Sequence, residues 1–285
     1  MAVPFKVDLS GKVVVVTGGT GVLCSSMARA LGESGAKVAV LGRRKDVADA
    51  LAAEIQKTGN KAIGVSADVL DRAKLEAANA VIEKELGPVD ILLNGAGGNH
   101  PKGTTSVEYL DPTQVGKVTE GLTSFYELDQ EGVQYVFNLN FIGTLLPCQV
   151  FTKAMVARRR GNILNVSSAS ALRPLTKVSA YGAAKAAVGN FTQWLAVHFS
   201  RANVRVNALV PGFFLTEQNR TLLTKPDGSM TPRGDKIVAH TPMGRFGEAH
   251  ELLGALLWLV DDNSASFVTG SIVTVDGGFT AYSGV

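Results

Sequence analysis

Apolar residues along the chain fall into two alternating patterns. Short, unbroken, largely β-branched runs at 12–17, 37–41, 61–66, 90–94, 162–167, 205–209 and 271–275 predict strands. Between them, segments with helical spacing, among them 23–31, 47–58, 72–85 and 181–199, predict helices. A strand that is apolar on both faces must be covered on both, which calls for a parallel sheet. Right-handed crossovers then wind it in both directions. The expectation is an α/β protein: a single doubly wound parallel sheet of about seven strands with helices on both faces. No repeat, low-complexity tract or Pro/Ser-rich linker divides it, so 1–285 reads as one domain. Two stretches break the alternation, a long insertion near 98–132 and a segment near 216–248. Both follow strand carboxyl ends, where open α/β sheets bind ligands, so they are candidates to enclose a substrate. Ordinary surface excursions are the alternative.

Composition narrows the class. With 46% hydrophobic and 19% charged residues, 285 residues can bury a large core. Twenty-eight basic against 25 acidic residues leave +3, and the longest basic run is Arg158, Arg159, Arg160. That argues against a nucleic-acid partner, which calls for a basic stripe. The two cysteines, Cys24 and Cys148, are far apart and have no CxxC spacing, so neither a disulfide framework nor a metal site is expected. Charged and turn residues interrupt the N-terminal stretch, and no apolar run reaches about 18 residues. No membrane partner and a cytoplasmic location are therefore expected.

The first strand runs into Thr17-Gly18-Gly19-Thr20-Gly21, followed within a few residues by a helix. Glycines there let backbone N–H groups and a helix N-terminus face a pyrophosphate, which predicts dinucleotide binding. A tight turn without a ligand is the alternative. An NAD site usually offers a carboxylate to the adenosine ribose at the end of the second strand. This chain has Gly42, Arg43, Arg44 and Lys45 instead, and arginines suit a 2′-phosphate, favouring NADP over NAD. Asp46 weakens that preference, and the arginines also fit a solvated loop.

Tyr181 and Lys185 stand four apart at the head of a predicted helix, so the hydroxyl and the ammonium share a face. A cation beside the phenol is expected to lower its pKa and make Tyr181 a usable general base near neutral pH. Taken alone, the pair also fits an interfacial tyrosine with an exposed lysine. Thirteen residues earlier, Ser168 ends a predicted strand, where a hydroxyl can hold a substrate oxygen.

Over essentially its whole length the chain resembles the short-chain dehydrogenase/reductase family. The marks come in the family's order: the turn 17–24, Asp68 in Ala-Asp-Val, Asn94-Gly95-Ala96-Gly97 in place of NNAG, Asn140 in NFIG, Ser168, Tyr181 and Lys185, then Pro211-Gly212 and Thr216. The resemblance implies a Rossmann fold and a catalytic tetrad. Tyr181 would be the acid/base, Ser168 would orient the reacting oxygen, Lys185 would bind the nicotinamide ribose and depress the tyrosine pKa, and Asn140 would order a relay water. Asn138 is a rival for the last role. It further implies that Gly18, Thr20, Gly21, Val22, Leu23, Arg43, Arg44, Asp68, Val69, Asn94, Gly95, Ala96, Tyr181, Lys185, Pro211, Gly212 and Thr216 bind the cofactor, NADP or NAD. In the family's TGxxxGxG register Val22 and Cys24 stand where glycines are usual, which puts their side chains close to the pyrophosphate. Cys24 reads as a packing residue rather than a nucleophile, since no base accompanies it.

Several longer stretches, including LNFIGTLLPCQVF, PGFFLTEQNR and HTPMGRFGE, are similar to the family's D-mannonate oxidoreductase (fructuronate reductase) branch. That likeness implies a small-molecule sugar-acid substrate, and the family likeness a homotetramer. A sugar acid needs a carboxylate receptor and polar partners for its hydroxyls. Asn99, Arg173 and Arg220 are the candidates put first, with His100, Gln218 and Asn219 beside them. His100 reads as a loop residue. Another polyol, keto sugar or oxoacyl substrate is the alternative, and a dinucleotide sensor without turnover is the reading from a different class.

Overall fold

The computed structural model describes residues 7–117, 119–216 and 219–284. Among them seven strands form one wholly parallel sheet in the order β3-β2-β1-β4-β5-β6-β7. They are β1 Val13–Thr17, β2 Lys37–Gly42, β3 Ala62–Ser66, β4 Ile91–Asn94, β5 Gly161–Val166, β6 Val204–Pro211 and β7 Ile272–Val275. The helices are α1 Val22–Glu33, α2 Lys45–Gln56, α3 Arg72–Glu85, α4 Gln130–Phe137, α5 Gly143–Phe151, α6 Lys153–Arg158, α7 Ser179–Phe199, α8 Arg220–Leu223, α9 Pro232–Ala239 and α10 Leu253–Val260. The expected strands differ from these by one or two residues at their ends.

The unbroken valines of β1 show why the sheet is covered twice. Val14 and Val16 pack with Met27 and Leu31 of α1, Leu51 of α2 and Leu256 of α10. Val13 and Val15 face the other way, onto Ile82 of α3, Phe151 of α5 and Leu195 of α7. Alternate residues of a strand point to opposite faces, so both phases must be apolar. Strand order reverses between β1 and β4, and the crevice beyond their carboxyl ends is the ligand position of such sheets.

The basic run at 158–160 is a clamp at the far end of the sheet. Arg158 and Arg160 pair with Asp90, and Arg159 closes α6 in the left-handed conformation at φ 53°. The Asp90 carboxylate also accepts from the Val13 amide at 3.0 Å.

The described residues of 98–129 are mostly irregular, with two short 3-10 turns among them, as the broken alternation implies. The other irregular segment contains α8 and α9 over a small core of its own, Leu223, Ile237 and Phe246. No helix among the described residues is long and apolar enough to cross a membrane.

Candidate active site

At the end of β1, Gly18 turns with φ 62°, and a Cβ there would lie 2.7 Å from the backbone of Ala96. Only glycine suits both the dihedral and the contact. The turn is fixed from beneath, where the Thr17 hydroxyl accepts from the amides of Gly95 and Ala96 at 3.1 and 3.3 Å. Helix α1 begins after Gly21 with no side-chain cap and no acidic residue in its first turn. Ser25 is the first residue whose amide finds a helical carbonyl, that of Gly21. The amides of Val22, Leu23 and Cys24 are left for a ligand at the positive end of the helix, so this turn fits a pyrophosphate.

The two departures from the glycine register prove compatible with that role. Cys24 turns away from the crevice, its Sγ donating towards the Gly95 carbonyl at 3.7 Å. A Cβ on Gly95 would stand 2.2 Å from that sulfur, so the glycine at 95 makes the room that the cysteine fills. Burial pushes the Cys24 thiol up to about 11, which leaves it an unreactive packing group. Val22 is half-buried, and the shifted Gly21 takes the cap.

Around the adenosine half, Gly42 ends β2 without a side chain, and Arg43 and Arg44 are exposed at the start of α2. Asp68 holds its own loop by accepting from the Leu70 amide at 3.0 Å. Two residues expected at the cofactor point elsewhere. The Asn94 side chain is buried in the core, donating to Asn165 Oδ1 at 2.9 Å and to Cys148 Sγ at 3.2 Å. Val69 is likewise buried, its Cγ2 seated against Gly143. Neither side chain reaches the crevice; only their backbones remain for a cofactor. Pro211 ends β6, the Gly212 amide donates to Val275 O at 2.9 Å, and the Thr216 amide donates to Asn219 Oδ1 at 2.8 Å.

The tetrad residues come from three elements. Ser168 follows β5 and caps a 3-10 turn, its Oγ accepting from the Ser170 amide at 3.2 Å. Tyr181 and Lys185 lie one turn apart in α7, with Lys185 Nζ 5.8 Å from the tyrosine ring centre and donating to Val166 O at 2.8 Å. Asn140 sits in a π turn, Asn138–Ile142, between α4 and α5, and such turns often mark functional sites. Its amide brackets Gly98, with Oδ1 accepting from Gly98 N at 3.2 Å and Nδ2 donating to Gly98 O at 2.7 Å. A Cβ at Gly97 would be 2.6 Å from Asn140 Oδ1 and 3.2 Å from Lys185 Nζ, so the 95–98 turn, Asn140 and Lys185 meet at one point.

Electrostatics depart from the expectation for Tyr181. Burial raises its pKa, with the Ser168 hydroxyl pulling the other way. Burial also lowers Lys185 to about 8. Desolvation thus outweighs any help the lysine gives the phenolate, and the resting tyrosine is a proton donor.

Substrate candidates scatter. Arg173 donates Nε to Thr280 O at 3.0 Å, tying the Ser168 loop to the C-terminal segment. The Asn219 side chain is spent on the backbones of Phe214 and Thr216. His100 Nδ1 accepts from the Lys102 amide at 3.2 Å and its ring packs on Tyr135, so it serves its loop. Asn99 is exposed and accepts from the His100 amide, Arg220 is exposed at the start of α8, and Gln218 lies outside the described residues. Lys177 lies in the loop joining Ser168 to Tyr181. Its φ of 73° is a signal no residue pattern carries. Among the described residues, no group of three His, Cys, Asp or Glu is placed to hold a metal ion.

A family model for short chain dehydrogenases matches residues 12–227, and the chain belongs to that family. It is an oxidoreductase that uses NAD or NADP to interconvert alcohols and ketones. An uncharacterized oxidoreductase, UxuB of Bacillus subtilis strain 168, is 50% identical over 283 residues, covering 99% of this chain and 100% of that one. A crystal structure from Haemophilus influenza with bound NAD, provisionally named a D-mannonate oxidoreductase, superposes with a TM-score of 0.92 at 47% identity and 98% coverage of both chains. A gluconate 5-dehydrogenase from Burkholderia cenocepacia J2315, in complex with NADP and tartrate, gives 0.80 at 28% identity, covering 98% of this chain and 99% of that one.

Proposed function

We propose that the protein interconverts D-mannonate and D-fructuronate, with hydride exchanged at a secondary alcohol. The observation that carries the chemistry is the meeting of Ser168, Tyr181, Lys185 and Asn140 at the crevice over β4 and β5. The substrate rests on the branch resemblance and on the Haemophilus relative's name, and relatives acting on gluconate support a sugar acid more broadly.

Bound nicotinamide supplies or accepts the hydride. In the reducing direction Tyr181, protonated at rest, gives its proton to the oxygen that the hydride transfer leaves charged. The Ser168 hydroxyl donates to the same oxygen and fixes its place. Lys185 orients the ribose and holds the tyrosine's surroundings positive, while Asn140 keeps the 98 turn and a proton path in register. The cofactor contacts run over the 18–23 turn, Asp68, the 94–96 backbone and the 211–216 segment. The one domain of 1–285 would enclose the substrate between its two irregular stretches. The reading places the reaction in the cytoplasm and the protein in a homotetramer. The face bearing Trp194 and Val197 of α7, 56% and 76% exposed, supports self-association.

Reduced-nicotinamide absorbance tests the reading directly, with D-mannonate offered beside other aldonates and polyols and with NADP and NAD supplied separately. Turnover of D-mannonate above the others is expected, and turnover only of a neutral polyol rejects the sugar acid. Tyr181→Phe should lower kcat by about 10²–10⁴-fold, and full activity in that variant would remove the tyrosine from the mechanism. The NADP preference stands on the missing carboxylate at Gly42 and the exposed guanidinium of Arg43. Arg43→Ala should weaken NADPH binding by about tenfold while sparing NADH, on the scale of one charge-assisted hydrogen bond. Equal losses for both would assign Arg43 to solvent.

A further inference from the structure

A sugar acid brings a charge for which none of the roles given to the tetrad provides, and Asn99 and Arg173 make their contacts with the His100 amide and the Thr280 carbonyl, away from the catalytic groups. Three segments follow the carboxyl ends of neighbouring strands, the side on which such sheets bind ligands: the insertion after β4, the loop 169–178 after β5, and the α8–α9 segment after β6. They are stitched together. The Thr105 amide donates to the Lys177 carbonyl at 3.0 Å, and Lys236 of α9 binds the Glu108 carboxylate of the insertion. Lys177 and Arg233 also face Glu108, and their charges help to hold its carboxyl below the usual range.

The cluster has three cations around one carboxylate. Lys236 answers Glu108, while Lys177 and Arg233 make no ion pair or side-chain hydrogen bond among the described residues. Lys177 differs from Arg233 in two ways. It is half-buried where Arg233 is exposed, and its backbone is held at φ 73°. A left-handed lysine is strained, and such strain persists only where the surroundings fix it. Here they do, through the Thr105 bond, four residues ahead of Tyr181. Strain of this kind clusters at ligand clamps.

We propose that Lys177 is the specificity-determining receptor for the substrate's carboxylate, in an electropositive cluster completed by Arg233 and Lys236. Glu108 already shows that a carboxylate is at home among these cations. The inference rests on the sugar-acid reading above, and it predicts discrimination between an aldonate and its uncharged counterpart of the same shape.

The test is calorimetric titration of the NADPH-loaded protein, which cannot oxidise an alcohol, with D-mannonate and with D-mannonamide. The wild type should bind the acid about ten- to a hundredfold more tightly than the amide, the worth of one charge-assisted hydrogen bond. Lys177→Gly removes the ammonium and relieves the backbone, so folding is not at risk. It should abolish that preference by weakening the acid alone, and Lys177→Arg should restore most of it. A preference that survives in Lys177→Gly overturns the assignment, as does a wild type that binds both alike. Turnover assays separate the two claims: if no aldonate is turned over, the sugar-acid function fails, whereas turnover with an unchanged preference in Lys177→Gly removes only the lysine.

Discussion

Cys24 and Gly95 exchange volume across 71 positions of sequence. One carries a side chain where its family usually has none, the other lacks the one its family usually has, and the sulfur fills the resulting notch. If the two are a compensating pair, single changes should cost more than both together. Gly95→Asn drives a side chain into the sulfur and should destabilise by about 1–3 kcal/mol. Cys24→Gly opens a void and loosens the first turn of α1, at a cost of about 1 kcal/mol from helix propensity alone. The double variant should be more stable than the sum predicts by about 1–2 kcal/mol, read as a coupling energy from urea melts. Strict additivity would mean that the two sites are independent. The exchange shows what the sequence could and could not tell. The residues departing from the register were visible as letters, but that one answers the other needed the sheet, because β4 lies beside β1 only in space. For the same reason Asn94 reads as part of the cofactor motif while its amide is turned into the core by Asn165.

At the scale of elements, the strands were legible because a strand buried on both faces has an unbroken apolar signature. The stretch 130–158 was not. Its π turn at Asn138–Ile142 adds a residue to the helical repeat and shifts the phase of the apolar positions, and Pro147 sits within α5. Periodicity fails across such a break. Helix α10, apolar all round its surface, has no stripe to find. The three segments beyond the strand ends follow another logic again, since they are held by polar contacts rather than by a shared core. The clasp between Lys236 and Glu108 is solvated, so breaking it should leave global stability almost untouched. Glu108→Gln should therefore leave the melting temperature nearly unchanged and yet speed limited proteolysis within 220–240 severalfold, since local opening draws on few other contacts. Cleavage at an unaltered rate would show that the small core of Leu223, Ile237 and Phe246 holds the segment unaided.

For the whole molecule, three buried titratable groups give the stability curve a definite shape at alkaline pH. Lys185 falls from an ordinary value of 10.5 to about 8 in the fold, so between these values the unfolded chain holds a proton that the native state has released. Stability therefore rises with pH across that window, by about 1.4 kcal/mol per pH unit. The thiols act in the opposite sense. Burial raises Cys24 from 9.0 to about 11 and Cys148 from 9.0 to about 12, so above pH 9 the unfolded chain ionises while the native thiols stay protonated. From pH 8 to 9 the lysine acts alone and stability climbs; above 9 two falling contributions oppose one rising one, and the net slope reverses. Urea melts under reducing conditions should thus place maximum stability of the cofactor-free protein near pH 9. Lys185→Met should remove the climb. Cys24→Ala combined with Cys148→Ala should remove the fall up to about pH 10, above which the raised Tyr181 adds a falling contribution of its own. A curve flat from pH 8 to 10 in the wild type would mean that water reaches these groups in the native state and that the floor of the crevice is not dry. In that case the upward shift of Tyr181, caused by the same desolvation, would go with it, leaving a phenol near its ordinary value that still holds its proton at neutral pH.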